Sequence, residues 1–290
     1  MINYNSSAAL RAFLDQEGLG MQKKFGQNFL INPKIRQALV DALDAEGGDE
    51  VWEIGPGLGA MTAILLDKGL SVNAFEIDLG FIRILKRIFG DNKNFSLTEG
   101  DVMKTWTGTV KSAPFLLGNL PYNVAAALLA DFIEKGRFFT RIIVTVQKEV
   151  ALRMAAAAGT ADYSSFSVLC ASAYKVKPLM TIRKEAFYPQ PNVESMGVLL
   201  ESRDMGNIPA IFYPLVRSLF ASRRKTIKNN LLAFLSSRFG NYIQNNVNIH
   251  DLCSAILHDN RLDSNERAEN LEIEMFLSLA KTIENMRLSI

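Results

Sequence analysis

Glu53-Ile54-Gly55-Pro56-Gly57-Leu58-Gly59-Ala60 decides how this chain is read. It follows the apolar run VWEI (51–54) and leads into TAILLDKG (62–69), whose apolar spacing is helical. A strand that runs through glycines into a helix brings a ligand close to the backbone, because glycine takes positive φ and carries no side chain. Glu76 ends the next apolar run, about 20 residues on, where an acid accepts hydrogen bonds from a ribose diol. Asp101, in Gly100-Asp101-Val102 after the third run, is placed to receive an adenine amino group. The pattern predicts a site for an adenosine-containing cofactor.

Gly55, Gly57 and Ala60 also satisfy the dinucleotide fingerprint, so three readings stay open on these residues: an S-adenosylmethionine-dependent methyltransferase, a nicotinamide or flavin enzyme, and a purely structural turn. Two details favour the first. Pro56 suits a loop wrapped round an amino-acid moiety, and Glu53 is placed to sit near an ammonium group.

Outward from this turn, apolar runs at 51–54, 71–77, 94–99, 113–118 and 141–146 alternate with helically spaced segments. That alternation predicts an α/β fold with a doubly wound, Rossmann-like parallel sheet. KPLMTI (177–182) and MGVLLE (196–201) follow, separated by a proline-rich loop, and suit an antiparallel pair closing the sheet. From about residue 207 strand signals give way to helical ones. The expected organisation is an N-terminal extension (1–21), a catalytic domain (22–204) and a small all-helical RNA-binding domain (205–290). Residues 1–20 read as a short amphipathic helix on the surface, with no assigned function.

Directly after the fourth strand stands Gly118-Asn119-Leu120-Pro121-Tyr122-Asn123, at the sheet edge where doubly wound folds bind ligands. An adenine amino group is a poor nucleophile, its lone pair being delocalised into the ring. Two acceptors for its N–H groups favour a pyramidal nitrogen; the Asn119 side-chain oxygen and the Leu120 carbonyl have suitable spacing. Pro121 stiffens the turn, and the Tyr122 ring is able to stack on the base. Alone, the tetrapeptide reads equally as an ordinary N-x-P turn. In register with the glycine turn, Glu76 and Asp101, it points to amine methylation.

Composition narrows the alternatives. The 290 residues are 48% hydrophobic and 21% charged, as in an ordinary globular chain, and no apolar run suits a membrane span or a leader peptide, so a cytoplasmic protein is expected. The only histidines, His250 and His258, lie late in the chain, which disfavours Ser-His-Asp hydrolysis and His-ligated zinc. The two cysteines, Cys170 and Cys253, offer no CxxC, and no metal site is expected. Net charge is only +2, but it is uneven: residues 205–250 hold Arg217, Arg223, Arg224, Lys225, Lys228 and Arg238 and no acid. Such a segment suits phosphate contacts better than a merely solvated helix face.

These residues and four further segments resemble the small-subunit ribosomal RNA adenine dimethyltransferases of the KsgA type, from about residue 22 to 272. Lys23-Lys24-Phe25-Gly26-Gln27-Asn28-Phe29-Leu30 looks like the family's N-terminal motif, in which the Asn and Leu (here Asn28 and Leu30) help hold the cofactor. Phe187-Tyr188-Pro189-Gln190-Pro191-Asn192-Val193-Glu194-Ser195 resembles its F-x-P-x-P-x-V-x-S motif, whose Phe faces the target base. Phe220-Ala221-Ser222-Arg223-Arg224-Lys225-Thr226 is similar to its basic helix start, and Arg267-Ala268-Glu269-Asn270-Leu271 to its R-A-E-x-L motif.

The resemblance implies a class I methyltransferase fold and S-adenosyl-L-methionine as cofactor, held by Asn28, Leu30, Gly55, Gly57, Glu76, Asp101, Val102 and Asn119. Substrate contacts are expected from Tyr122, Phe187, Arg217, Arg223, Arg224, Lys225 and Lys228. It further implies two methyl transfers to each of two adjacent adenines near the 3′ end of small-subunit ribosomal RNA, in a pre-ribosomal particle, by a monomer. The chain departs from the pattern at Val124-Ala125-Ala126, where the family often has a hydroxyl, and at Asn192, where a basic residue is common. The competing readings are a large-subunit adenine methyltransferase of the antibiotic-resistance type, a non-catalytic assembly factor on the same fold, and a nicotinamide dehydrogenase. The Gly26-Gln27-Asn28 segment and the R-A-E-x-L tail favour the small-subunit family; intact Glu76, Asp101 and Asn119 argue for catalysis.

Overall fold

A computed structural model describes residues 2–20, 27–109, 113–120, 122–204, 206–246 and 248–286; the side chains of 122, 123 and 240–246 lie outside it. The chain divides into two compact units, Met1–Leu152 with Tyr174–Ser202, and Arg153–Ala173 with Arg203–Ile290.

In chain order the first unit begins with α1 (Ser7–Gln16), β1 (Phe29–Leu30), α2 (Pro33–Asp41), β2 (Glu50–Ile54), α3 (Ala60–Asp67), β3 (Ser71–Glu76) and α4 (Leu79–Phe89). Then come β4 (Phe95–Glu99), α5 (Val102–Thr105), β5 (Phe115–Asn119), α6 (Tyr122–Glu134), β6 (Arg141–Gln147) and α7 (Lys148–Ala155), the last running across the division. After α8 (Ser165–Ala173), the strands β7 (Tyr174–Ile182), β8 (Phe187–Tyr188) and β9 (Ser195–Ser202) return to this unit.

Seven strands form one sheet in the order β4-β3-β2-β5-β6-β9-β7. The first five are parallel, and β9 runs antiparallel to both β6 and β7, closing the edge as the two late apolar runs predict. β2 lies between β3 and β5, so successive crossovers leave it in opposite directions and open a crevice at the strands' carboxyl ends. Helices on both faces explain why β2 is buried on consecutive residues, Val51 to Ile54, rather than alternately. Trp52 of β2 packs among Phe75, Phe132 and Phe139, with the Arg137 guanidinium over its ring. Beside the large sheet, β1 and β8 make a small antiparallel ladder pairing Phe29 with Tyr188 and Leu30 with Phe187.

The second unit is helical: α8, α9 (Phe212–Phe220), α10 (Ile227–Asn246), α11 (Ile249–Asp259) and α12 (Ile273–Asn285). Its core gathers Phe212, Leu215, Leu219, Leu231, Ile256 and Phe276 with Tyr163 and Val168. The expected boundary at 204/205 therefore misses an excursion. Arg153–Ala173 joins the later helices because Tyr163 and Val168 are buried among them and the Tyr163 hydroxyl donates to the Leu271 carbonyl at 2.8 Å. No local pattern along the chain shows which core α8 fills. Among the described residues no helix is long and apolar enough to cross a membrane.

Candidate active site

A cavity of about 260 Å³ opens in the first unit where β2, β3, β4 and β5 end, lined by the glycine turn, Glu76, Asp101, Asn119 and the 27–30 segment. All three turn glycines need their residue type: Gly55, Gly57 and Gly59 take φ of +68°, +59° and +88°. A Cβ on Gly57 would stand 3.1 Å from the Phe29 ring, and one on Gly59 only 2.4 Å from Phe89.

Glu76 is 6% exposed at the end of β3. Its Oε2 accepts the Gly57 N–H at 3.1 Å, and its Oε1 accepts those of Ile77 and Asp78, both at 2.9 Å. Burial pushes its pKa up to about 7, against the pull of these three N–H groups. The carboxylate thus stitches the end of β3 to the glycine turn while facing the cavity, as a diol acceptor must.

Glu53 on β2 is fully buried. Its Oε2 accepts from the Thr62 hydroxyl at 2.6 Å, and its Oε1 has no partner. Burial raises its pKa to about 7, the Thr62 bond lowering it and Glu76 adding to the rise. An orphaned buried acceptor beneath a glycine turn suits an ammonium donor. Asp101 caps α5, one carboxylate oxygen taking the Met103 N–H at 3.0 Å, with Val102 and Ile77 as apolar neighbours in the cavity lining. An acid for a diol, apolar walls for a base and an unsatisfied buried acceptor together fit S-adenosylmethionine.

Asn119 ends β5. Its Nδ2 donates to the Asn28 main-chain carbonyl at 2.8 Å, which commits the amide nitrogen and leaves Oδ1 as the acceptor. The Asn119 carbonyl lies 4.0 Å from where a Gly55 Cβ would be, so the two turns adjoin. Leu120 is 2% exposed and folds over Gly118, where a Cβ would come within 2.8 Å of its side chain. The structure thus assembles Asn28, Leu30, Gly55, Gly57, Glu76, Asp101, Val102, Asn119 and Leu120 around one cavity. Pro121, the Tyr122 side chain and residues 23–26 lie outside the described residues.

Two expectations are corrected. Phe187 is not an open stacking platform: it is 2% exposed, because the β1–β8 ladder carries it under Leu30 into the core with Leu39. Arg223 is engaged within its own unit, its Nη2 2.9 Å from Glu269 and its guanidinium also on the Ala161 carbonyl. Arg217, Arg224 and Lys225 are exposed and Lys228 half-buried on the helical unit. The short amphipathic helix expected within residues 1–20 is present as α1, with Leu10 and Leu14 buried; what sequence did not assign is that Tyr4 and Leu10 line the cavity. Lys148 pairs with Glu194 at 3.0 Å.

Sequence reading also misses Phe29, Tyr4 and Arg36, all in the cavity lining. A signal existed for Arg36, which shares the i, i+3, i+4 stripe of α2 with Leu39 and Val40, where an apolar residue is due.

Residues 18–284 match the family model for ribosomal RNA adenine dimethylase. The chain is 44% identical over 300 residues to the ribosomal RNA small subunit methyltransferase A of Treponema denticola, covering 98% of this chain and 97% of that one. It is 37% identical to the Borreliella burgdorferi protein of the same name, over 97% and 95%. Among solved structures it resembles a dimethyladenosine transferase from Plasmodium falciparum, with a TM-score of 0.76, 26% identity and 88% and 96% coverage. The fold is shared with the 23S rRNA methyltransferase ErmE, at a TM-score of 0.61 and 19% identity over 88% and 99%.

Proposed function

The chain belongs to the ribosomal RNA adenine dimethylase family, and we propose that its cavity carries that family's reaction through the Asn119 to Tyr122 turn. It is an S-adenosylmethionine-dependent enzyme that dimethylates N6 of adenosines in small-subunit ribosomal RNA. The two adjacent adenosines near the 3′ end are its targets, presented in a pre-ribosomal particle to a monomer in the cytoplasm. The catalytic and RNA-binding roles fall to residues 22–204 and 205–290 respectively, apart from the Arg153–Ala173 excursion.

The observation that carries the reading is the bond from Asn119 Nδ2 to the Asn28 carbonyl. A free asparagine amide presents donor or acceptor with a half-turn of χ2; here the donor is already committed. Asn119 Oδ1 accepts one N–H of the target amino group and the Leu120 carbonyl the other, drawing the nitrogen towards a pyramidal geometry. Tyr122 stacks on the base. S-adenosylmethionine supplies an already activated sulfonium methyl, so the protein contributes position and electrostatics rather than a strong base. Glu76 holds the ribose diol, Glu53 faces the ammonium end, and Asp101 with Val102 seats the adenine. Exposed Arg217, Arg224 and Lys225, with Lys228, contact phosphates.

Two measurements test this. Small subunits lacking the modification, incubated with labelled S-adenosylmethionine, acquire dimethyladenosine in the small-subunit RNA; label on large-subunit RNA, or on neither, refutes the reading. Asn119→Ala abolishes transfer with cofactor affinity largely kept. Parallel loss of both would place the turn against the wrong ligand.

A further inference from the structure

Residues before 18 lie outside the stretch that the family model matches, yet Tyr4 and Leu10 line the cofactor cavity. Leu10 and Leu14 of α1 pack with Leu58 of the glycine turn and Phe81 of α4. The Tyr4 hydroxyl donates to the Leu58 carbonyl at 3.0 Å. Behind it, Arg36 donates through Nη1 to the carbonyls of Tyr4 at 3.2 Å and Leu30 at 2.6 Å, and through Nη2 to the Asn5 side chain. One guanidinium therefore ties the N-terminal arm to β1, the strand that carries Leu30.

The charge balance at this end of the cavity is incomplete. Arg36 is 4% exposed, its Nε has no partner, and among the described residues no carboxylate pairs with it. A buried cation without an anion is costly, and so is a buried carboxylate with an orphaned oxygen, which is the state of Glu53. The two do not pair with each other, though both act electrostatically on the Tyr4 phenol that stands near them. Arg36 is the one cation in the cavity lining among the described residues. A ligand end that carries a carboxylate completes the Arg36 charge in the lining; an adenosine end does not.

We propose that the N-terminal arm, pinned by Arg36, is a positioning element for the amino-acid end of S-adenosylmethionine, with Arg36 setting the preference for its carboxylate and Tyr4 closing the wall. The arm joins the cofactor site rather than merely bracing it. This rests on the cavity being the S-adenosylmethionine site.

The test is calorimetry on the full chain with two probes: S-adenosylhomocysteine, which keeps the amino-acid end, and 5′-methylthioadenosine, which lacks it. Arg36→Met weakens S-adenosylhomocysteine by about 10-fold or more and leaves 5′-methylthioadenosine within about 2-fold. Arg36→Lys, which keeps the charge, recovers part of the loss. Tyr4→Phe, which removes one hydroxyl and should fold even where Arg36→Met does not, weakens S-adenosylhomocysteine alone by about 3-fold. Equal weakening of both probes, or no weakening of either, overturns the proposal. Failure of the unmodified protein to bind S-adenosylhomocysteine would instead overturn the reading of the cavity.

Discussion

Cofactor affinity should fall as the solution is acidified through neutrality, and the cause lies in two buried carboxylates. Glu53, beneath the glycine turn, and Glu76, in the cavity lining, each have a pKa pushed up to about 7 by burial. A ribose diol and an ammonium group donate hydrogen bonds, and only an ionised carboxylate accepts them fully. Binding therefore displaces whatever proton each acid holds. For one group with a pKa of about 7, the ionised fraction falls from about nine-tenths at pH 8 to about one-tenth at pH 6, weakening binding about 10-fold, or about 1.4 kcal/mol. If both protons are displaced the loss approaches about 100-fold. Calorimetric titration with S-adenosylhomocysteine in two buffers of different ionisation enthalpy gives affinity and proton release together. Glu53→Gln should bind less tightly at pH 8 but lose one of the two about 10-fold steps. The ligand's own titration is common to both proteins and cancels in their comparison. Equal pH dependence in the two proteins, or affinity that rises on acidification, would refute the argument.

Three further outcomes follow from the same contacts. Because the folded pKa of Glu53 lies above its unfolded value of 4.5, its contribution to stability is full below that value and is lost as pH rises through about 7. Denaturant unfolding of the empty protein should therefore find Glu53→Gln gaining up to about 3 kcal/mol on the parent between pH 4.5 and 8. Gly59→Ala should cost about 2 kcal/mol or more, from left-handed strain plus the 2.4 Å approach to Phe89, whereas Gly48→Ala, at φ +97° with open space around it, carries the strain alone; a matched pair of melts checks this. In RNA-binding titrations, Arg224→Ala and Lys225→Ala should each reduce the log-log salt slope by about 0.7 to 0.9, while Arg223→Ala, already committed to Glu269, should leave it unchanged.

The sequence by itself determined the parallel sheet, its antiparallel closure, the glycine turn, and the placing of Glu76, Asp101 and Asn119 at strand ends. These are consequences of local periodicity and of residue types that few backbone conformations accept, and both are written along the chain. Gly55, Gly57 and Gly59 are legible because left-handed φ is a local demand.

Contacts between distant segments were decided only in the tertiary structure. That Asn119 is oriented by the Asn28 carbonyl 91 residues away follows from where β1 lies, which no window of sequence contains. Phe187 reads as an exposed aromatic among prolines, yet two residues of ladder with β1 suffice to bury it. Arg223 reads as one of six like charges until Glu269, 46 residues on, takes it. The N-terminal arm carries too little pattern to announce a function, since its value depends on Leu58, Phe81 and Arg36 standing where Leu10 and Tyr4 reach them. Burial likewise makes Glu53 and Glu76 titrate near neutrality, and burial is a property of the packed whole. The strand-end positions that carry the chemistry were therefore readable in advance, while the protonation, orientation and enclosure that tune them arise from packing.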